Sequence, residues 1–224
     1  MNTRILMAAL LLTGAIRMWG AETLDRVVAT VNGHALLQSD LNDEVAYECF
    51  MSGRAVADFT GTDRKGAFNR LVDQELLREQ MHSTDFKPVA PEEIDKQIGT
   101  LKSDYVRQHS GETWELSLRN YGISEATIRE RVELELNQLR LVENRLRPTI
   151  QIEPAAVEQY YREQIMPKLS GAQISLSEAA PKIREILIEQ RLNELLDTWL
   201  ESLRSQAQVR VVSPELSATE STGQ

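Results

Sequence analysis

The chain has 224 residues, of which 42% are hydrophobic and 26% charged, so it can form a sizeable core and whole-chain disorder is excluded. Aromatic residues make up only 5%, and 11 Gly with 7 Pro leave few turn positions, which favours long helices over a many-stranded sandwich. The 34 Asp and Glu outnumber the 25 Lys and Arg, and this net charge of -9 argues against nucleic acid as a partner.

The first segment is an apolar run over residues 5–16 that lies between Arg4 and Arg17. Its length fits the hydrophobic region of a signal peptide and falls short of the roughly 20 residues that span a bilayer. We therefore predict a signal peptide over residues 1–21, cleaved after Ala21, and export of the protein. The alternative is an uncleaved leader that anchors the protein in the inner membrane, because Trp19 stands where a small residue is preferred.

A small β ribbon is predicted where the two ends of the folded region meet. Two β-prone runs surround Asn32-Gly33, a dipeptide typical of two-residue hairpin turns. Because an isolated two-stranded ribbon is only marginally stable, we expect a third strand from the β-branched cluster at 208–212. The predicted fold class is therefore mainly α: a helical bundle closed by a ribbon formed from the N-terminal hairpin and a C-terminal strand.

The first two helices are expected directly after the hairpin. Ser39 or Asp40 supplies the capping oxygen of the first helix, and Thr62 or Asp63 that of the second. Between them, residues 51–63 contain two glycines and no sustained apolar period, so they are predicted to form a loop.

Three later helix starts share one pattern, in which an apolar residue before the cap can pack on another in the first turns. Acidic residues in the first turns and prolines at the first helical position support these starts. The apolar pairs are Val89 with Ile94, Ile123 with Ile128, and Ile152 with Val157.

The helix predicted over residues 124–147 is apolar on more than one side. One side carries a regular aliphatic stripe, and a second side carries Leu134 and Leu141. Its neighbours must therefore cover it from two directions, or a groove is left open for another molecule. A last helix is predicted over 177–207, and residues 213–224, with one leucine and no period, are predicted to be a disordered tail.

No residues form a recognisable catalytic, phosphate-binding or metal-binding motif. His34, His82 and His109 lie in different predicted elements and lack the spacing that sets two imidazoles on one helix face. Cys49 is the only cysteine, so it cannot form an intrachain disulfide or supply the cysteine pairs of a zinc site, and we interpret it as a core residue. We predict no catalytic residue, no metal and no cofactor.

The remaining candidates for function are aromatic and apolar side chains at helical spacing. Core packing is their most common role. The alternative role is a groove for client polypeptides, because methionine and aromatic side chains adapt to varied partners. The candidate client-binding residues are Phe50, Met51, Phe59, Tyr105, Trp114, Leu118 and Tyr121.

Five segments together resemble the N-terminal chaperone domain of the SurA-like family of periplasmic chaperones for outer-membrane proteins. They are 24–41, 68–81, 91–98, 157–165 and 180–212, in family order. The resemblance implies a chaperone domain over residues 22–212, a periplasmic location, and ATP-independent binding of unfolded polypeptides such as outer-membrane protein precursors.

The sequence departs from the family pattern in one respect. In the family, parvulin-type prolyl isomerase domains precede the last helix, whereas here only residues 162–176 separate the corresponding segments. An independent domain needs at least about 50 residues. We therefore predict a chaperone that is not an enzyme and lacks the isomerase activity of the family.

A structural or interaction subunit is the alternative function. In that case the same helical module would have its groove filled by its own side chains or by one fixed partner. A homodimer formed through the helix at 124–147 is one form of this alternative.

Overall fold

The computed structural model describes residues 25–82, 85–109, 111–168 and 174–217. The predicted signal peptide and residues 218–224 of the predicted tail lie outside these ranges. The described strands are β1 (Val27–Val31), β2 (His34–Leu37) and β3 (Val209–Val211). The described α-helices are α1 (Gln38–Ser52), α2 (Gly61–His82), α3 (Pro91–Gln108), α4 (Trp114–Tyr121), α5 (Glu125–Leu146), α6 (Pro154–Tyr160), α7 (Leu176–Gln206) and the single turn α8 (Pro214–Ser217). Among them, no helix combines the length and the apolar character needed to cross a membrane.

The three strands form one antiparallel sheet in which β1 is central. Asn32 and Gly33 connect β1 to β2 with positive φ angles of 50° and 91°, as a two-residue hairpin turn requires. β3 pairs with the other edge of β1, so that Ala29 faces Val211 and the two ends of the folded region come together. The prediction of a mainly helical protein with this hairpin and a C-terminal strand is confirmed.

One hydrophobic core lies between the sheet and helices α1 and α2. The amphipathic pattern of α2 directs one aliphatic face toward the sheet, and α1 contributes a second layer. Cys49 belongs to this core and is fully buried, as predicted. The buried members are Val28, Ala29, Val31, Leu36, Leu41, Val45, Cys49, Phe59, Ala67, Phe68, Leu71, Val72, Leu76 and Leu216.

A second core lies on the opposite side of α1, against α3, α4 and α5. The pairs predicted for the starts of α3 and α5 are buried in it. Because α1 faces both cores, it is apolar on two sides. Glu44 of the same helix is also buried. The buried members of the second core are Tyr47, Phe50, Val89, Ile94, Tyr105, Trp114, Leu118, Ile123, Ile128 and Val132.

The first two helices begin earlier than predicted. α1 begins at Gln38, and Asp40 acts from inside its first turn by accepting a hydrogen bond from the Leu37 N–H at 2.7 Å. α2 begins at Gly61, where the Thr60 hydroxyl accepts from the Asp63 N–H at 3.2 Å and the Asp63 carboxylate accepts from the Thr60 N–H at 2.9 Å. The acidic residues therefore complete the caps from the third helical position, and in α2 the arrangement is reciprocal. Several polar residues in succession make such a start hard to place from sequence.

The long helix α7 contacts both α5 and α2. Near the end of α5, Arg147 forms ion pairs with Glu185 and Glu189 of α7. Near the other end of α7, Arg204 makes a two-pronged contact with Asp73 of α2, with N–O distances of 2.6 and 2.7 Å. These contacts fix α7 against helices on both sides of the molecule.

The predicted boundary of the disordered tail is wrong for residues 213–217. The carbonyl of Val28 accepts hydrogen bonds from the N–H groups of Val212 and Ser213, and the turn α8 then places Leu216 in the first core with 7% of its surface exposed. Backbone hydrogen bonds to the sheet and burial of the single leucine of the segment therefore attach it to the first core.

We expect replacement of Leu216 by Ala to lower the free energy of unfolding by about 2 to 3 kcal/mol, since it removes a buried side chain from the core. Val212→Ala is the matched control, because Val212 is 54% exposed and directly precedes the same turn. The control should change stability by less than about 0.5 kcal/mol. Urea denaturation followed by circular dichroism measures both values, and equal effects would contradict the packing of this segment.

Candidate peptide-binding groove

The aromatic residues predicted to contact clients pack against one another around Phe50. The ring of Phe50 is stacked on that of Tyr105 at a centroid distance of 4.3 Å and meets Trp114 edge-on at 5.4 Å. It also lies 5.8 Å from the ring of Tyr121. These rings join α1, α3 and α4, and edge-on and stacked contacts of this kind stabilise a folded core.

Burial corrects most of the predicted client-binding set. Phe50, Tyr105, Trp114 and Leu118 are between 0% and 5% exposed, so a client cannot reach them in the folded protein. Phe59 is also buried, in the first core. The helical spacing of these residues marks the sides of the helices that face each other, and core packing is therefore their role.

The other two predicted residues lie at the edge of the cores. Tyr121 is half-buried and packs against both cores. Met51 is 41% exposed and borders a hollow of about 520 Å³. Six of the nine residues that line that hollow are polar or charged, among them Arg54, which holds the pKa of Asp63 down at about 2 through a hydrogen bond. Met51 therefore lies at the edge of a hollow rich in charged side chains.

A groove with apolar walls lies elsewhere, between the C-terminal end of α2 and the middle of α5. The polar part of its lining consists of Arg78, His82, Glu130, Glu133 and Asn137. We call it the α2–α5 groove and define its apolar walls by Met81, Phe86, Pro88 and Leu134. It encloses about 510 Å³ and is open to solvent. Met81, Phe86 and Leu134 are half-buried, so each presents part of its surface to the groove.

The segment 85–90 forms one wall of the groove and is fixed to α5 by polar contacts. The Val89 N–H donates to Asn137 Oδ1 at 2.8 Å, and Arg140 Nη1 donates to the Pro88 carbonyl at 2.9 Å. Arg140 also holds the Glu93 carboxylate at 2.9 and 2.7 Å, and this bond lowers the pKa of Glu93. The wall therefore keeps its position without a bound partner, as preorganised binding sites require.

The groove continues along α5 in both directions. At one end it joins a polar cleft of about 290 Å³ that shares Arg78, Glu130 and Leu134 with it. At the other end, beyond Phe86, lies a hollow of about 340 Å³. The lining residues run along α5 from Thr127 to Arg145, a rise of about 27 Å. An extended peptide of about eight residues spans that distance.

Behind the polar cleft lies a buried network of charged and polar side chains from α1, α2 and α5. Arg131 Nη2 lies 2.5 Å from Glu44 Oε2, and the guanidinium stacks over the Tyr47 ring at 5.2 Å. Gln74 connects the two charged groups: its Nε2 donates to Glu44 at 3.2 Å and its Oε1 accepts from Arg131 at 3.0 Å. The network holds α5 at a fixed distance from α1 and α2 and so sets the width of the cleft.

Part of this site was predicted from the sequence. Leu134 and Leu141, the second apolar side of the predicted helix, line the groove and its continuation. Phe86 and Pro88 were missed because they lie in a segment without periodicity, where no pattern indicates which residues are exposed. Glu130 and Glu133 are exposed at the rim.

Among the described residues, no group of three or more His, Cys, Asp or Glu side chains is arranged to hold a metal ion. Comparison with models of known protein families found no match, and comparison with curated protein sequences found no significant match. The resemblance to SurA-like chaperones therefore stays a prediction.

Proposed function

We propose that the protein is an ATP-independent periplasmic chaperone that holds unfolded outer-membrane or secreted polypeptides in the α2–α5 groove, without prolyl isomerase activity. The observation that carries this proposal is the row of adjoining hollows along α5, whose lining residues extend over about 27 Å, the length of an extended peptide of about eight residues. In this proposal the sheet closes the helical bundle by joining its two ends, so that the groove walls keep their spacing.

Binding in such a groove is weak and reversible. Strands of outer-membrane barrels alternate apolar and polar residues, so an extended strand can direct every second side chain into the groove. Complete burial of one large apolar side chain contributes roughly 1.5 to 3 kcal/mol, from which the ordering of the client must be subtracted. A few such contacts hold a client and still release it, and the net charge of -9 keeps loaded complexes apart.

We expect the purified protein to suppress aggregation of a denatured porin, measured by light scattering at equimolar concentration. Leu134→Gln should remove most of this suppression, because it places a polar amide in the apolar wall. Leu139→Gln is the matched control: the same change on the same helix, at a side chain that is 54% exposed and does not line the groove.

The two variants also show whether client binding takes place in the groove. Wild type that leaves the scattering unchanged would contradict chaperone activity. Equal activity of the Leu134→Gln and Leu139→Gln variants would place client binding outside the groove. In either case circular dichroism must show that the variants are folded.

An interaction subunit with a fixed partner, or a homodimer through α5, is the second candidate. The exposure of Leu139 on α5 and the burial of the aromatic cluster favour it. A dye that fluoresces on apolar surfaces distinguishes the two: the chaperone binds it in the native state and loses the signal on Leu134→Gln. A subunit with a filled groove gives no signal that depends on Leu134.

A further inference from the structure

We propose that the α2–α5 groove and its polar cleft prefer client segments in which a lysine or arginine lies two residues from an apolar side chain. This inference rests on the proposed function and specifies its substrate class. It is based on the position of the apolar groove wall directly beside a cleft in which carboxylates outnumber guanidinium groups.

The carboxylates that face the cleft are only partly neutralised by the protein: the charge of Arg131 acts on Asp43, and Asp40 accepts a hydrogen bond from the Leu37 N–H. Asp43 and Glu130 line it, and neither side chain has a hydrogen bond or ion pair with any described residue. Desolvation, followed by the nearby carboxylate of Asp40, raises the pKa of Asp43. A cation placed at this point would therefore relieve repulsion that the folded protein leaves in place.

The two arginines of the cleft are bound to carboxylates behind it. Arg78 forms an ion pair with Glu75, which is 4% exposed, and Arg131 is bound to Glu44, which is 3% exposed. Asp40 also lines the cleft, so that five carboxylates surround two guanidinium groups and the imidazole of His34, which lies 3.8 Å from Glu75. Arg70 also approaches Glu44, at 3.7 Å, but it is itself paired with Glu48. The local charge is therefore negative.

The distance between Glu130 and Leu134 is close to the distance between neighbouring side chains on one face of an extended chain. Glu130 and Leu134 are four residues apart on α5, so their Cβ atoms are about 5 to 6 Å apart. Side chains two residues apart in a strand lie on the same face, about 6.8 Å from each other. A client whose apolar side chain contacts Leu134 can therefore place a cation two residues away beside Glu130, with Asp43 across the cleft.

The test uses the full-length protein and fluorescently labelled peptides of about nine residues, one more than the length that the groove spans. The peptides alternate leucine and serine and differ at one position, two residues from the central leucine, which is Lys, Gln or Glu. Fluorescence anisotropy should give about two- to fivefold tighter binding for the Lys peptide than for the Gln peptide, and weaker binding for the Glu peptide. At about 0.5 M salt this preference should shrink, because partly exposed charges are screened.

The variant Asp43→Asn/Glu130→Gln should abolish the preference for lysine, so that the Lys and Gln peptides bind with equal affinity. The control is Asp197→Asn/Glu201→Gln, which removes the same two charges from exposed positions on α7 and should keep the preference. Both changes conserve side-chain shape, and a thermal melt by circular dichroism verifies that each variant is folded.

The outcomes separate this inference from the proposed function. If the Gln and Lys peptides bind equally tightly and both depend on Leu134, the charge preference is wrong and the groove function stands. If no peptide binds, both are overturned. If sedimentation shows a dimer that Leu134→Gln dissociates, the groove belongs to a second copy of the chain, and both are again overturned.

Discussion

Replacement of Phe50 by Ala is expected to lower the free energy of unfolding by about 3 to 5 kcal/mol, the range found for large aromatic side chains removed from well-packed cores. Phe50 is fully buried and contacts three other rings. The cavity would open at the point where α1, α3 and α4 meet, so neighbouring side chains cannot fill it without moving a helix. Urea denaturation of the variant and wild type measures the difference.

A matched aromatic control is Phe86→Ala, which removes the same side chain from the wall of the groove. Because Phe86 is only half-buried, we expect a loss of about 1 kcal/mol or less. The effects on aggregation suppression should be the opposite of the effects on stability. Phe50→Leu, which keeps much of the core volume, should retain the suppression, whereas Phe86→Ala should lose it. A client-binding defect in folded Phe50→Leu would mean that the aromatic cluster opens to clients.

Replacement of Arg131 by Leu should lower the free energy of unfolding by about 3 kcal/mol, because it leaves the carboxylate of Glu44 buried without its closest cation. Gln74 remains within hydrogen-bonding distance of Glu44, and Arg70 remains 3.7 Å away. These contacts offset part of the loss and place the expected value at the lower end of the range for broken buried pairs. Chemical denaturation at neutral pH gives the value.

The double variant Glu44→Leu/Arg131→Leu tests the cause of that loss. If the cost comes from an uncompensated buried charge, removing both partners should recover most of the stability, since apolar residues of similar volume often replace a buried ion pair without loss. A double variant as unstable as the sum of the single variants would instead indicate that packing of the arginine stem over Tyr47 is the larger contribution.

Much of the secondary structure could be predicted because its signals are local. The Asn32-Gly33 turn requires two positive φ angles, which this dipeptide adopts readily, and the hairpin formed as expected. Ser124 caps α5 and Gly122 ends α4 in the left-handed conformation, both from short-range chemistry. The position of β3 followed from a general need of a two-stranded ribbon for a third strand.

The site was predicted less well, because burial depends on which helices pack together. The apolar stripes that contain Tyr105 and Trp114 show which side of each helix is apolar. They do not show whether that side packs against another helix or faces solvent. α1 illustrates the difficulty: its apolar residues surround the helix because it separates two cores. The second side of α5 gave the useful signal, since a helix that is apolar on two sides either lies between two layers, as α1 does, or leaves one side open to solvent.

The pairing of β1 with β3 affects how the protein is made. Val31 and Val209 are partners in the sheet, yet about 178 residues of chain separate them. At synthesis rates of about 5 to 20 residues per second, β1 waits roughly 10 to 35 s for its second neighbour. During that time an aliphatic strand has an unprotected edge, which is a site for aggregation. The newborn polypeptide is therefore itself expected to need shielding by another chaperone until its last strand emerges.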